Sequence, residues 1–273
     1  MQITSLHIYP IKGCRGHALS SVAIDRLGSV GDRRLMIVDG GDHFISQREV
    51  PALATIIPTL TPAVARAKAG ALSVAAPKME SLHLTIDPDG PSRNVTVWGY
   101  NEIVAADQGD GAARWFSAAL GTPCRLVAFG ALAHNPIDSD YSPRDDAETA
   151  FTDGYPMMAA LQESLDDLNT RLTEPVPMER FRPTIVISGA PAWSEDEWRG
   201  MRLGEITADS VKGCARCVVT TTDQQSGAKN PQQEPLRTLA TFRTVPRLGA
   251  IFGQNLVPRN TGMLRVGDPV TLL

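Results

Sequence analysis

The chain has 273 residues, 42% hydrophobic and 21% charged, the proportions of an ordinary soluble globular protein long enough for a sizeable core. A formal net charge of −4 argues against nucleic acid as a partner, because the phosphate lattice demands a positive excess. No apolar run approaches the roughly 20 residues of a membrane span, the start Met1-Gln2-Ile3-Thr4-Ser5 has no secretory pattern, and four cysteines make no disulfide scaffold, so the reading is cytoplasmic.

Gln2 to Ile11 opens as a strand, with Ile3, Leu6 and Ile8 among polar neighbours, and runs into Tyr9-Pro10-Ile11-Lys12-Gly13-Cys14-Arg15-Gly16. Proline before Lys12 and glycines after it predict an exposed turn. Its free backbone N–H groups beside a cation suit a phosphate, with a plain solvated turn as the alternative. Val22 to Leu27 reads as a strand, and Asp32-Arg33-Arg34 then leads into apolar Leu35 to Asp39. Adjacent strand residues face opposite sides, so one of the two arginines points inward and needs an anion or a carboxylate there.

Gly40-Gly41-Asp42 predicts a hairpin with His43 to Arg48 as its returning strand, and short strands continue through Leu72, Leu82 and Val95. Asp110 to Leu120 predicts a helix closed by Gly121, where we place a boundary between residues 1–121 and 122–273. Gly130 to Ala150 reads as a loop or cover. Leu161, Leu165, Leu168 and Leu172 share a helical face and predict a core helix over Met157 to Leu172. Arg180-Phe181-Arg182-Pro183 is a basic turn in which Pro183 should hold Arg182 extended. Gln224 to Gln233 reads as too polar to be buried, Glu234-Pro235 opens a short helix, and strands close the chain.

The segment Gly213-Cys214-Ala215-Arg216-Cys217 carries the most chemistry. A tetrahedral zinc site wants four ligands; Cys14 and Cys124 stand alone, and the five histidines show no paired spacing. A thioredoxin-type site wants a helix after the motif, whereas Val218-Val219-Thr220-Thr221-Thr222 reads as a strand. A single ligating or sulfur-carrying cysteine remains, and pattern alone names no partner for it.

Together, Ile8-Tyr9-Pro10-Ile11-Lys12, Gly31-Asp32-Arg33-Arg34, Phe151-x-Asp153-Gly154-Tyr155-Pro156, Arg180-Phe181-Arg182-Pro183, Cys214-x-Arg216-Cys217-x-x-Thr220-Thr221, Phe252-Gly253-Gln254 and Val266-Gly267-Asp268-Pro269 resemble the MOSC family, specifically its two-part members like the mitochondrial amidoxime-reducing component and its bacterial relatives. The resemblance implies a mostly β fold with peripheral helices: an N-terminal β-barrel-like MOSC region joined to a C-terminal MOSC β-barrel. It implies a molybdenum cofactor (molybdenum-molybdopterin) between them, with Cys217 as metal ligand and catalytic residue. Lys12, Gly13 and Arg33 would grip the pterin phosphate. Asp153, Gly154, Tyr155, Arg182, Ala215, Arg216 and Asn255 match further cofactor contacts. Many relatives carry serine at Gly13, and many bacterial ones an aromatic residue at Leu35.

The activity implied is reduction of N-hydroxylated small molecules, such as amidoximes, by a monomeric protein. Electrons would come from a separate donor of ferredoxin or cytochrome b5 type with its reductase. Two other classes stay open: a sulfur carrier or transferase using a Cys217 persulfide, and a cofactor-storage protein. Molybdenum content and turnover with artificial donors discriminate them.

Overall fold

A computed structural model of the chain describes residues 1–61, 70–98 and 101–273. Ile3, Leu6 and Ile8 are buried along the strand Gln2–Ile8. Their uneven spacing follows from a register shift between Ile3 and Ser5 in the antiparallel pairing with Ile185–Ser188, a bulge that puts one extra residue past the partner. That pair belongs to a nine-stranded sheet in the order Val270–Leu272, Gly200–Leu203, Ile206–Ala215, Gly249–Pro258, Met157–Leu161, Ile185–Ser188, Gln2–Ile8, His17–Leu19, with Thr244–Val245 paired to Gly249–Pro258. The sheet curls until the segment before its last strand reaches the first. Ile3 N–H donates to Asp268 O at 2.9 Å, Gly267 N–H to Ile3 O at 2.8 Å and Val270 N–H to Met1 O at 2.9 Å. No strand ladder closes it into a complete barrel among the described residues.

A four-stranded antiparallel sheet (Leu35–Val38, Arg125–Ala128, Asn101–Asp107, Ser92–Val97) and a three-stranded meander (Ile57–Thr61, Ala71–Ala75, Leu82–Thr85) form the other large region. The helix α1, Gly109–Leu120, ends at Gly121 with φ 69° and buries Phe116 in a core with Ile11, Leu35, Leu53 and Leu126. Ser21–Asp25 pairs with Gly28–Ser29 and with Gly262–Arg265, so the start of the chain is also laced to its end. The fold is therefore mostly β with peripheral helices.

The structure departs from the sequence reading in identifiable places. Met157–Leu161 is a strand, and α2 covers only Gln162–Thr170. All five strand residues are buried between Gly249–Pro258 and Ile185–Ser188. A strand covered on both faces is continuously apolar, and its leucine merges with the helical stripe that follows. Val218–Thr221 is a 3₁₀ turn rather than a strand. The hydroxyls of Thr220 and Thr221 donate to Cys217 O at 2.9 Å and Val218 O at 2.8 Å, and such local bonds compete with a ladder. His43 to Arg48 makes only isolated bridges, Val38 with Phe44 and His43 with Thr96.

Candidate functional site

Segments 9–12 and 33–35 zip together: Arg33 N–H donates to Tyr9 O at 2.8 Å, Leu35 N–H to Pro10 O at 3.1 Å, and Lys12 N–H to Leu35 O at 2.7 Å. The zipper carries Lys12 and Arg33 into one cavity of about 320 Å3. The lysine turn is not exposed: Lys12 is 4% exposed, and Cys14 N–H is spent on Ile11 O at 3.0 Å. Gly13 has φ 83°, so the backbone itself asks for glycine at this position. Leu35 is buried in the core beneath and packs rather than lining the cavity.

Lys12 Nζ is paired with the Asp153 carboxylate and lies 4.8 Å from the Phe44 ring centroid and 5.8 Å from that of Trp98. Trp98 Nε1–H donates to the same Asp153 oxygen at 3.0 Å. Burial lowers the Lys12 ammonium from its ordinary range, and Asp153 only partly restores it. Desolvation by the surrounding cavity walls favours the neutral Asp153 carboxyl, but Lys12, Trp98 and Arg33 override it and hold the group well below the usual carboxylate range. The Asp153 side chain is open to solvent, which screens this pairing.

Arg33 points inward, while Arg34 pairs with Asp25 at 2.7 Å. Arg33 Nη1 reaches Asp32 Oδ2 at 2.7 Å and its Nη2 donates to Arg182 O at 3.1 Å. The guanidinium carbons of Arg33 and Arg182 lie 4.4 and 4.2 Å from the Tyr9 ring centroid. Arg182 is left-handed, with φ 54°, not extended as Pro183 would favour. Arg33 (φ 46°) and Trp98 (φ 58°) share that sparsely populated region, so three cavity-lining side chains hang from strained backbone. Burial and the charge of Arg33 push the Arg182 guanidinium down to about 10, and its Nη2 has no hydrogen-bond partner among the described residues.

The strand Ile206–Ala215 delivers the cysteines, with bulges between Ser210 and Lys212 and between Gly213 and Ala215. Arg216 N–H then returns to Ala250 O at 2.7 Å, and its Nη1 contacts Cys214 Sγ at 2.9 Å and Met158 Sδ at 3.3 Å. Cys217 precedes the 3₁₀ turn, lines the cavity, and its Sγ makes no hydrogen bond among the described residues. Asn255, on Gly249–Pro258, is the register partner of both Met158 and Lys212.

Every residue singled out in the sequence lines this one cavity: Lys12, Gly13, Arg33, Asp153, Gly154, Tyr155, Arg182, Ala215, Arg216, Cys217 and Asn255. Gln47, Trp98, Met158 and Lys212 also line it and were missed. Gln224, assigned by sequence to an exposed stretch, is 2% exposed and accepts from Arg182 Nη1 at 3.1 Å. None belongs to a motif or a periodic face, so no sequence signal marked them.

The lining thus holds five cations (Lys12, Arg33, Arg182, Lys212, Arg216) against one carboxylate, Asp153, beside the soft sulfurs of Cys214, Cys217 and Met158. No group of three or more His, Cys, Asp or Glu able to hold a bare metal ion occurs among the described residues. A ligand that is anionic and brings a thiophilic metal with it matches this donor set, including the orphaned Arg182 Nη2.

The MOSC N-terminal beta barrel domain matches residues 1–123 and the MOSC domain residues 146–271. The mitochondrial amidoxime reducing component 2 of Rattus norvegicus is 34% identical, spanning 98% of this chain and 82% of its own length. The mitochondrial amidoxime-reducing component 1 of Homo sapiens is 31% identical over 99% of this chain and 82% of its own. Among solved structures, the YuaD protein of Bacillus subtilis covers 98% of this chain and 93% of its own at 9% identity, with a TM-score of 0.42. With its two parts matched in order across nearly its whole length, the chain belongs to the MOSC family.

Proposed function

We propose that the protein is a molybdenum-cofactor-dependent reductase that converts N-hydroxylated compounds, amidoximes and N-hydroxy bases, to the parent amidine or amine. The observation that supports this most is one cavity joining an uncompensated buried guanidinium, Arg182, to a free thiol, Cys217. The relatives' names, amidoxime-reducing components, supply the reaction class.

When bound, the molybdenum-pterin group supplies two-electron redox chemistry. Cys217 would ligate the metal through its thiolate, a soft donor suited to molybdenum. Arg182, Arg33 and Lys12 would hold the phosphate, with Asp153 fixing the lysine head and Tyr9 supporting both guanidiniums. Arg216 would carry charge to the pterin side while its Nη2–H anchors it to Phe181 O at 2.6 Å. Gly13, Gly154, Tyr155, Ala215 and Asn255 would complete the cradle. Two electrons and two protons per turnover release the hydroxyl oxygen as water, and the electrons would come from a separate redox protein.

No described helix is long and apolar enough to cross a membrane. The test is to purify the protein from a cofactor-competent host, measure molybdenum and pterin per chain, and assay benzamidoxime reduction with a chemical donor. A ratio near one with turnover is expected. Metal-free protein that accepts sulfur onto Cys217 instead would replace this reading with the carrier.

A further inference from the structure

Two buried amides lock together beside the cavity. Gln224 Oε1 accepts from Arg182 Nη1 and from Gln47 Nε2, both at 3.1 Å. Gln224 Nε2 donates to Gln47 Oε1 at 3.1 Å and to Thr222 O at 3.0 Å, and Gln47 Nε2 donates onward to Gly13 O at 2.6 Å. Arg15 Nε also reaches the Gln224 backbone oxygen at 2.9 Å. Gln224 is 2% exposed and Gln47 1%, so their polar atoms depend on these bonds in place of water. Both amide hydrogens of Gln224 are committed, which leaves its oxygen aimed at Arg182.

The three cations of the anion grip then differ. Lys12 faces Asp153 and Arg33 faces Asp32, each a carboxylate. Arg182 faces a neutral amide and keeps Nη2 unpartnered. A carboxylate at 224 would accept the same Nη1–H but cancel the charge.

We infer that Gln224 is a positioning residue that holds Arg182 in place with its charge uncancelled, making Arg182 the principal cation for the anionic ligand of this cavity. This rests on the proposed function only in that the ligand is an anion.

The experiment uses inorganic phosphate as probe, titrated calorimetrically into cofactor-free protein at fixed ionic strength, alongside pterin retained on purification. Wild type, Gln224→Glu, Arg182→Met and the double variant are compared. Gln224→Glu should weaken phosphate binding about tenfold or more, a difference of about 1.4 kcal/mol, with a folded circular dichroism spectrum but a lower melt, because Gln47 Oε1 and Thr222 O lose their donor. Arg182→Met should lose a similar amount, and the double variant should be no weaker than Arg182→Met alone. Gln224→Met, neutral but unable to bond Arg182, serves if the glutamate variant does not fold; its loss should likewise vanish without Arg182. Binding at the wild-type level in Gln224→Glu, or a loss that persists without Arg182, overturns the assignment. Failure of wild type to bind phosphate overturns it too and leaves the reductase reading to its own metal and turnover assays. Phosphate binding as expected, together with protein from a cofactor-competent host that carries no molybdenum and shows no turnover, would instead sink the reductase reading alone.

Discussion

Cys214 and Cys217 are separated by two residues but not by chemistry alone. The guanidinium of Arg216 lies against Cys214 Sγ at 2.9 Å, whereas Cys217 Sγ is free at the cavity wall. Cys217→Ser replaces a soft, ionisable thiol with a hard hydroxyl. It should abolish molybdenum-dependent turnover yet keep the fold and much of the pterin, because the phosphate grip is elsewhere. Cys214→Ser should retain most activity; metal, pterin and turnover measured side by side decide, and equal loss in both variants would overturn the single-ligand assignment. A second residue governs pH behaviour away from the cavity. Glu195 is fully buried, receives Ser164 Oγ–H at 2.8 Å, and burial pushes its carboxyl from 4.5 up to about 6. The folded chain therefore holds this proton more tightly than the unfolded one. The contribution is complete below pH 4.5 and is lost as pH rises through about 6. Its size is about 2 kcal/mol. Glu195→Gln should flatten that part of the stability profile, read as denaturant midpoint against pH; an unchanged slope would remove Glu195 as its source.

At the scale of elements, the strand Gly249–Pro258 is the spine, pairing with Ile206–Ala215 on one side and Met157–Leu161 on the other. Gly253 lets it run so close: its φ is 75°, and an added Cβ would lie 2.6 Å from Ala159 O and 2.5 Å from Met158 Cε. Gly253→Ala must move one strand and hold a left-handed alanine, at a cost of about 1–3 kcal/mol. We expect a melting temperature several degrees lower and disturbed cofactor retention, since Met158 and Asn255 flank the shifted register; a wild-type melt would show that the spine yields freely. Much of this was legible in the sequence. Alternation marked Gln2–Ile8, the closing strands near Met263 and Val270 were marked too, and α1 was marked by its own period and its closing Gly121. What escaped is what tertiary context decides. A doubly covered strand and a helix both read as apolar at Met157 and Leu161. Threonine hydroxyls turned Val218–Thr221 into a 3₁₀ turn against β propensity. Gln224 looked solvent-loving because its partners, Gln47 and Arg182, lie 177 and 42 residues away.

Across the whole molecule, the cavity exists only where distant parts of the chain meet. Lys12, Arg33, Gln47 and Trp98 come from the first hundred residues, and Asp153, Arg182 and Cys217 from the rest. The same architecture bears on where electrons enter. An iron–sulfur centre needs thiolates gathered at one point. Here Cys14 and Cys124 are buried in the core around α1, away from Cys214, which packs against Phe181 and Phe252. Burial also pushes the Cys14 thiol far up, so it is not a thiolate donor. The sequence carries no glycine fingerprint for a dinucleotide either. Under the proposed reading a separate redox protein would supply the electrons; Trp98, which lines the cavity, is 36% exposed and has the Arg48 guanidinium carbon 4.4 Å from its ring centroid. Pure, cofactor-loaded protein given NADH or NADPH alone should not reduce benzamidoxime, whereas dithionite with a viologen dye should sustain turnover. Adding a ferredoxin- or cytochrome b5-type protein with its reductase should restore the nicotinamide-driven rate. Robust turnover of the isolated chain with NADPH would mean that it houses a redox relay of its own, and the external-donor scheme would fall.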